Sequence, residues 1–419
     1  MTSKFTVPRG TYDILPKESY KWEYIEQTFR SIVKNYNYQE IVTPIFENAE
    51  IFERSVGNTS DIIQKEMYKF QDKKGRVFAL RPEGTAPVIR SYIENNLWTD
   101  SPLTKLFYVG PMFRYDRPQA GRSRQFSQFG IECIGSNHPY YDAEVISIFY
   151  NFLKAIGLKK YQVEINSIGC PNCSENYNEA LRTYYKEYIN QLCPDCKSRF
   201  LKNPKRLLDC KVDTCKKISK NAPLILDYLD EECKKHFEQV QFYLNLLKVP
   251  FIINASIVRG LDYYSQTAFE FINNNLGAQN ALGGGGRYNG LIKQMGGKDI
   301  PAVGFAGGFS RLLLSIENEN IKIENTNQSK FFIVNLGDSA IEKTIEILNF
   351  LRKNNIKADF DIEKTSLKAQ MKLADKLNST YTIIIGEDEM KNNEFTIRNM
   401  LNGSQQSINF DNIKALLEL

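Results

Sequence analysis

Between residues 16 and 36 the apolar side chains recur at three- and four-residue steps: Trp22, Ile25, Phe29, Ile32, Val33 and Tyr36. One apolar stripe along an otherwise charged segment predicts an amphipathic helix. The next segment, "YQEIVTPIFEN", has no such step and reads as extended. Pro44 confines it to an edge or an irregular strand, because proline cannot donate to a ladder. "KLFYVGPMFRY" and "RQFSQFGIECIG" then read as two strands joined by the charged loop "DRPQAGRS". From Cys170 to about Lys248 the pattern turns helical, cysteine-bearing and rich in Lys and Glu, and the strand pattern returns in "FIINASIVRGLDYYSQTAFEFI". Strands on both sides of a helical block predict an insertion, about 170–248, inside one sheet domain. After the polar linker "ENENIKIENTNQS", the segments "KFFIVNL", a helix to about Lys353, "KADFD", a helix around Lys372 and "TYTIIIG" alternate as β-α-β-α-β. Two domains follow, 1–325 and 330–419, the second a small α/β unit.

Alternation along the two central strands sorts their side chains. Gln128, Gly130 and Glu132 share one face, while Phe129, Ile131 and Cys133 share the other. The second face is core material. The first offers two polar groups separated by a glycine, which leaves room for something between them. In "VGPMFRY" the same rule groups Gly110, Met112 and Arg114. A charge on a sheet face is either paired internally or part of a site, since an unpaired one is expensive to bury. Two such strands in succession favour a site.

Other stretches add candidates. "ALRPEGTAP" places Arg81, Glu83 and Thr85 at a strand end, with Gly84 and Pro87 following as a turn that caps a helix. "IVRGLDYYSQTAFEF" interrupts a β-like run with Arg259, Asp262, Tyr263 and Tyr264, and the Arg259 guanidinium suits a carboxylate or phosphate. "GGGGRYNGL" lacks the GxxxxGK[ST] spacing of a phosphate loop and the strand–GxGxxG–helix setting of a dinucleotide fold. Apolar residues on both sides argue against a linker. What remains is a strand-like floor whose missing side chains let a ligand touch backbone, with Tyr288 at its edge. "PAVGFAGGFSRLLLSIE" begins extended, turns at Gly307 and Gly308, and continues as a helix whose Arg311 either meets an anion or lies exposed.

Composition narrows the chemistry. The 419 residues carry 25% charged and 42% hydrophobic side chains and a net charge of +5, which suits a globular protein and permits a polyanionic partner without demanding one. No apolar signal core opens the chain and no run of about 18 apolar residues occurs, so a cytoplasmic protein without a membrane partner is expected. With only two histidines, His138 and His236, Ser-His-Asp catalysis and multi-histidine metal centres are excluded. Six of the eight cysteines lie between Cys170 and Cys215. "CPNC" (Cys170, Cys173) and "CPDC" (Cys193, Cys196), with nineteen residues between them, follow a zinc-type spacing. Cys210 and Cys215 could substitute as ligands, or all could be reduced thiols; any zinc would be structural.

Together these stretches resemble the class II histidyl-tRNA synthetases, over nearly the whole chain and in the same order. "VTPIFEN" resembles the first class motif, "VGPMFRYDRPQAGRSRQFSQFG" the second and "AVGFAGGFSRLLL" the third; "RGLDYY" and "GGGGRYNG" resemble the signatures specific to the histidine enzyme. The resemblance implies an α+β fold, with a class II antiparallel sheet core, a helical insertion and a C-terminal α/β anticodon-binding domain. It implies adenylation of L-histidine by ATP with Mg²⁺, transfer to tRNA(His), and a homodimer.

By the same resemblance Glu83, Thr85 and Gln128 hold the α-ammonium, with Gly84, Tyr263 and Tyr288 also in the histidine site. Glu132 and Tyr264 pair with the imidazole nitrogens. Arg114 and Arg259, the catalytic pair, contact α-phosphate and carboxylate; Arg122 and Arg311 contact the outer phosphates of ATP. Gln119 and Arg124 approach the tRNA acceptor end. The chain departs from the pattern at Ser310 for Glu, Asn289 for Asp, and at Ser123 and Ser127 in the second motif's loop. The competing implication is a non-catalytic relative, the regulatory subunit of ATP phosphoribosyltransferase, which shares the catalytic fold but lacks the C-terminal domain.

Overall fold

The structure is a computed structural model, and it describes residues 5–56, 62–258, 263–276 and 280–419. It divides into two compact units, Met1–Ile323 and Glu324–Leu419.

Among the described residues the first unit is built on an eight-stranded sheet. Its strands run in the order Gln39–Glu40, Thr104–Phe113, Gln125–Ile134, Ala302–Gly308, Ala281–Arg287, Ser265–Ile272, Gln162–Ser167 and Ile252–Ile253. Neighbours pair antiparallel except at the two short edge strands, which are parallel. The expected first helix forms over Pro16–Asn35, with Pro16 in its first turn, and buries Ile25, Phe29 and Val33. Phe29 meets Phe129, 4.7 Å between ring centroids, and Phe152 at 5.4 Å, so this helix covers the back of the sheet together with Tyr140–Ala155. Pro44 falls between the strands Gln39–Glu40 and Phe46–Asn48, where the chain leaves the large sheet for a separate three-stranded one.

The helical block leaves the sheet after Ser167. Helices Pro171–Lys186, Pro194–Lys202 and Asp213–Ser219 share a small core of Tyr177, Leu181, Tyr185, Leu192, Leu207, Ile225 and buried cysteines. The last helix, Glu231–Leu246, returns to the main core through Phe237, Val240 and Leu244. Asp230 caps it, its Oδ1 accepting from the Cys233 N–H at 2.8 Å. Of the β-like run expected in "IVRGLDYYSQTAFEF", Ile257 and Val258 lie outside any strand, Tyr263 sits in a turn, and the ladder begins at Ser265.

The second unit holds a five-stranded sheet, ordered Ala358–Phe360, Phe331–Asn335, Tyr381–Ile385, Glu394–Asn399 and Gln405–Asn409. The first three strands are parallel, as the β-α-β-α-β pattern requires. The last two are antiparallel additions that the sequence reading did not include. Phe395 and Ile397 alternate inward in "EFTIRN", a signal too short to stand alone, and "QQSIN" is a polar edge.

Candidate active site

The register of the large sheet explains where a cavity forms. One row across it reads Glu270, Gly284, Ala306, Gly130 and Tyr108; the next reads Ala268, Gly286, Gly304, Glu132 and Leu106. Small residues therefore pave the front of three adjacent strands, and a cavity of about 700 Å³ opens above them. Gly284, Ala306 and Gly308 line it together with Glu83, Thr85, Arg114, Arg122, Gln128, Tyr263, Tyr264 and Arg311.

The glycine run is only half a floor. A Cβ on Gly283 would stand 2.6 Å from the Phe149 ring, so alternate glycines of the run are required by the aromatic core behind the sheet. The room expected between Gln128 and Glu132 is also taken, because a Cβ on Gly130 would stand 2.5 Å from the Tyr108 ring. Gly84 serves the same ring, its Cβ position 2.2 Å from Tyr108, and does not line the cavity.

Glu83 stands before the helix Thr85–Glu94 and accepts from the Thr85 and Ala86 N–H groups at 2.7 and 2.8 Å, so Glu83 rather than Thr85 satisfies the open helix end. Burial raises its pKa, opposed by these backbone bonds and by Arg114. Thr85 thus lies in the first helical turn, not on a strand end, and its Oγ1 donates to Glu132 Oε1 at 2.8 Å. The other Glu132 oxygen accepts from the Tyr288 hydroxyl. Glu132 and Tyr288 are each 1% exposed and do not line the cavity, and burial pushes the Glu132 carboxyl up to about 8. A Cβ on Gly304 would stand 2.0 Å from Glu132 Oε2, so this glycine makes room for the carboxyl. The buried Gln128 Oε1 has no hydrogen-bond partner among the described residues, and Gln128 lines the cavity.

The arginines converge. Arg114 lies just beyond its strand, donates Nε–H to Pro82 O at 2.8 Å and stacks 5.3 Å over Phe126. Arg122 pairs with Asp116 and lies 3.5 Å from Glu66. Arg311 donates to Ala281 O at 2.6 Å. Burial, then the charges of Arg122 and Arg114, lower the Arg311 pKa, opposed by Glu270 and Asp116, so three arginines and these two carboxylates act on one another. Gln119 and Arg122 bridge each other's backbone across a tight loop, and Arg124 packs 4.0 Å over Tyr115; neither Gln119 nor Arg124 lines the cavity. Arg259 and Asp262 lie outside the described residues.

Of the departures, Ser310 lines the cavity within 3.1 Å of the Tyr12 hydroxyl, whereas Asn289 binds Gln266, Asn137 and the Ala302 N–H. Ser123 donates to Gln125 O at 2.6 Å, and Ser127 lines the cavity. Arg81, grouped with the candidates, donates to Thr43 O and Pro111 O and holds the first-motif segment in place.

Sequence reasoning missed the cavity wall formed by Glu164, Asn254 and Glu270, and the insertion's Leu208, Asp209 and Lys211, which no motif flags. It also missed the ion pair of Arg287 and Asp142, both fully buried. Burial alone would raise the Asp142 pKa, but Arg287 and then His236 hold it down to about 2. The pair ties the end of the glycine strand to the helix Tyr140–Ala155.

The expected zinc set is corrected. Cys170 and Cys173 group with Asp230 and Cys233, while Cys193 and Cys196 group with Cys210 and Cys215. The two CxxC pairs open different helices, so the spacing that joined them in sequence does not join them in space.

An antiparallel sheet with an arginine-ringed cavity on one face, followed by a separate α/β unit, is the architecture of a class II aminoacyl-tRNA synthetase. The profile of the family described as histidyl-tRNA synthetase matches residues 10–173 and 206–312, and that of an anticodon binding domain matches 330–418. The chain belongs to the histidyl-tRNA synthetase family. It is 51% identical over 402 residues to the histidine–tRNA ligase of Clostridioides difficile (strain 630), covering 96% of each chain. It is 49% identical to that of Halothermothrix orenii over 97% of each chain. The apo histidyl-tRNA synthetase of S. aureus superimposes with a TM-score of 0.82 at 42% identity, covering 99% of each chain. A Bacillus halodurans protein described as an ATP phosphoribosyltransferase regulatory subunit/histidyl-tRNA synthetase, at 20% identity and a TM-score of 0.68, shares the fold. Among the described residues no helix is long and apolar enough to cross a membrane.

Proposed function

We propose that the chain is a histidine–tRNA ligase that activates L-histidine with ATP to histidyl-adenylate and then esterifies tRNA(His), releasing pyrophosphate and AMP. The observation that carries the site is the meeting of Arg114, Arg122 and Arg311 with Glu83, Gln128, Tyr263 and Tyr264 in one cavity. In activation the ionised carboxylate of histidine attacks the α-phosphorus and pyrophosphate leaves, so no general base is needed; charge neutralisation and in-line positioning are. Arg114 and Arg259 take the α-phosphate and carboxylate, and Arg122 and Arg311 the outer phosphates. Mg²⁺ bound with ATP supplies further neutralisation, and Asp116 and Glu270, which line the cavity, are oxygen donors of the kind it accepts.

Glu83, Thr85 and the unpartnered Gln128 receive the α-ammonium, beside Gly84 and Tyr263. Glu132, steadied by Thr85 and Tyr288, and Tyr264 read the two imidazole nitrogens. A pocket with two buried polar partners rejects analogues lacking them by roughly 10⁴-fold, which makes editing unnecessary. Gln119 and Arg124 guide the acceptor end of the tRNA, residues 1–325 form the catalytic domain, and 330–419 reads the anticodon.

A homodimer fits the apolar first-motif surface, where Val42, Ile45, Phe46 and Phe70 are exposed, Val42 at 81%. A cytoplasmic setting suits these substrates. Histidine-dependent exchange of labelled pyrophosphate into ATP, without tRNA and with the other amino acids as controls, tests the activity. Exchange with histidine alone is expected; histidine binding without exchange would favour the regulatory-subunit reading.

A further inference from the structure

Eight free cysteines are present, and seven of them fall into two groups of four possible metal ligands in and around the insertion. In each group one ligand atom per residue lies within 4.8 Å of the others. Cys193 Sγ and Cys210 Sγ are 3.8 Å apart, and Cys170 Sγ and Cys173 Sγ 3.5 Å. A tetrahedron with Zn–S bonds of about 2.3 Å has edges of roughly 3.8 Å. We infer that the chain binds two structural zinc ions at separate sites, one through Cys193, Cys196, Cys210 and Cys215, the other through Cys170, Cys173, Asp230 and Cys233.

The ligands come from places that need holding. The first site joins the helix Pro194–Lys202, the stretch at Cys210 and the helix Asp213–Ser219 within the insertion's own small core. The second sits at the neck. Cys170 and Cys173 lie where the chain leaves the sheet, and Asp230 and Cys233 at the start of the helix that leads back to the main core. Asp230 uses Oδ1 to cap its helix and turns Oδ2 to Cys170 Sγ, 3.1 Å away. Outer bonds fit thiolate ligands: Cys193 N–H donates to Cys215 Sγ at 3.4 Å, and Asp230 N–H to Cys173 Sγ at 3.2 Å.

The first site also touches the chemistry. Leu208, Asp209 and Lys211 flank the ligand Cys210 and line the substrate cavity. An ion on Cys210 fixes this stretch of wall. Its role is positioning.

The test is elemental analysis of the full-length chain purified from zinc-supplemented cells, which should carry about two zinc ions per chain. Cys210→Ser and Cys233→Ser should each remove one ion and leave the other. Cobalt-loaded wild-type chain, which needs no variant to fold, should show intense thiolate-to-cobalt charge transfer and tetrahedral d–d bands at both sites. A wild-type chain with fewer than two ions and no cobalt bands, or variants that each empty both sites, would overturn the inference. Cys210→Ser should also raise KM in the exchange assay more than it lowers kcat; an unchanged KM with the ion gone would refute the positioning role. That last readout rests on the ligase reading, whereas the metal count does not, so the two fail separately.

Discussion

On the back of the large sheet Phe129, Phe149, Phe152 and Phe305 pack with ring centroids 4.7 to 6.4 Å apart. On the front, the same strands carry Gln128 and Glu270 over a pavement of glycine and alanine, in a cavity that three arginines also line, with Glu132 buried beside it. The back is an aromatic core. The front holds a buried acceptor without a hydrogen-bond partner among the described residues and cations that weaken each other's hold on a proton. One sheet thus carries an apolar face and a polar, charged one, and a β-strand permits this because neighbouring residues face opposite ways. The glycine strand serves both: Gly283 yields to Phe149 behind, while Gly284 lines the cavity in front.

The sharpest way to break this contrast is through the charge pair set in the aromatic side. Asp142→Ala leaves Arg287 buried and unpaired, which should cost about 3–5 kcal/mol of stability in denaturant unfolding. The same pair sets an acid limit. With Asp142 held to about 2 when folded, against ~3.9 when unfolded, its contribution is complete above about pH 4 and lost as pH falls to about 2. An acid unfolding curve shared by wild type and Asp142→Asn would contradict this assignment.

Arg259→Ala should leave stability alone and slow activation by at least about 100-fold, since removal of a preorganised donor costs about 2.7–4 kcal/mol. Histidine binding should fall less. A near-normal exchange rate removes Arg259 from the mechanism.

Adjacent glycines then separate the faces directly. Gly283→Val should lose about 1–3 kcal/mol of stability by overpacking against Phe149. Gly284→Val should abolish histidine binding at a nearly unchanged melting temperature. Equal losses of stability from both would erase the distinction.

The smallest effect is a titration. Glu132, held up to about 8 by burial, carries a proton in the empty protein at neutral pH, while free imidazole titrates near ~6.5. If the pair shares one proton when histidine binds, affinity is level between these values and falls about tenfold per unit above pH 8, where a proton must be taken up. Below ~6.5 it falls because one must be released. Glu132→Gln should remove the upper limb; an affinity that climbs through pH 8 would mean the carboxylate binds proton-free.

Periodicity alone determined the long helix of Pro16–Asn35, the paired central strands, the helical insertion and the parallel β-α-β-α-β run, because apolar spacing is a local property. The motif-bearing stretches determined family membership, and eight of the residues they named, Glu83, Thr85, Arg114, Arg122, Gln128, Tyr263, Tyr264 and Arg311, line the cavity, whereas Gly84, Gln119, Arg124, Glu132 and Tyr288 do not. What only the tertiary structure decided depends on residues far apart in the chain. Asp142 meets Arg287 across 145 positions, and Glu132 meets Tyr288 across 156. The cysteines regroup across the insertion, and Lys211 reaches the cavity from inside it. Spacing along a chain constrains partners within a turn or a strand; which distant surfaces close on one another is set by packing, and there a plausible local pairing such as CPNC with CPDC gives way to the one the helices allow.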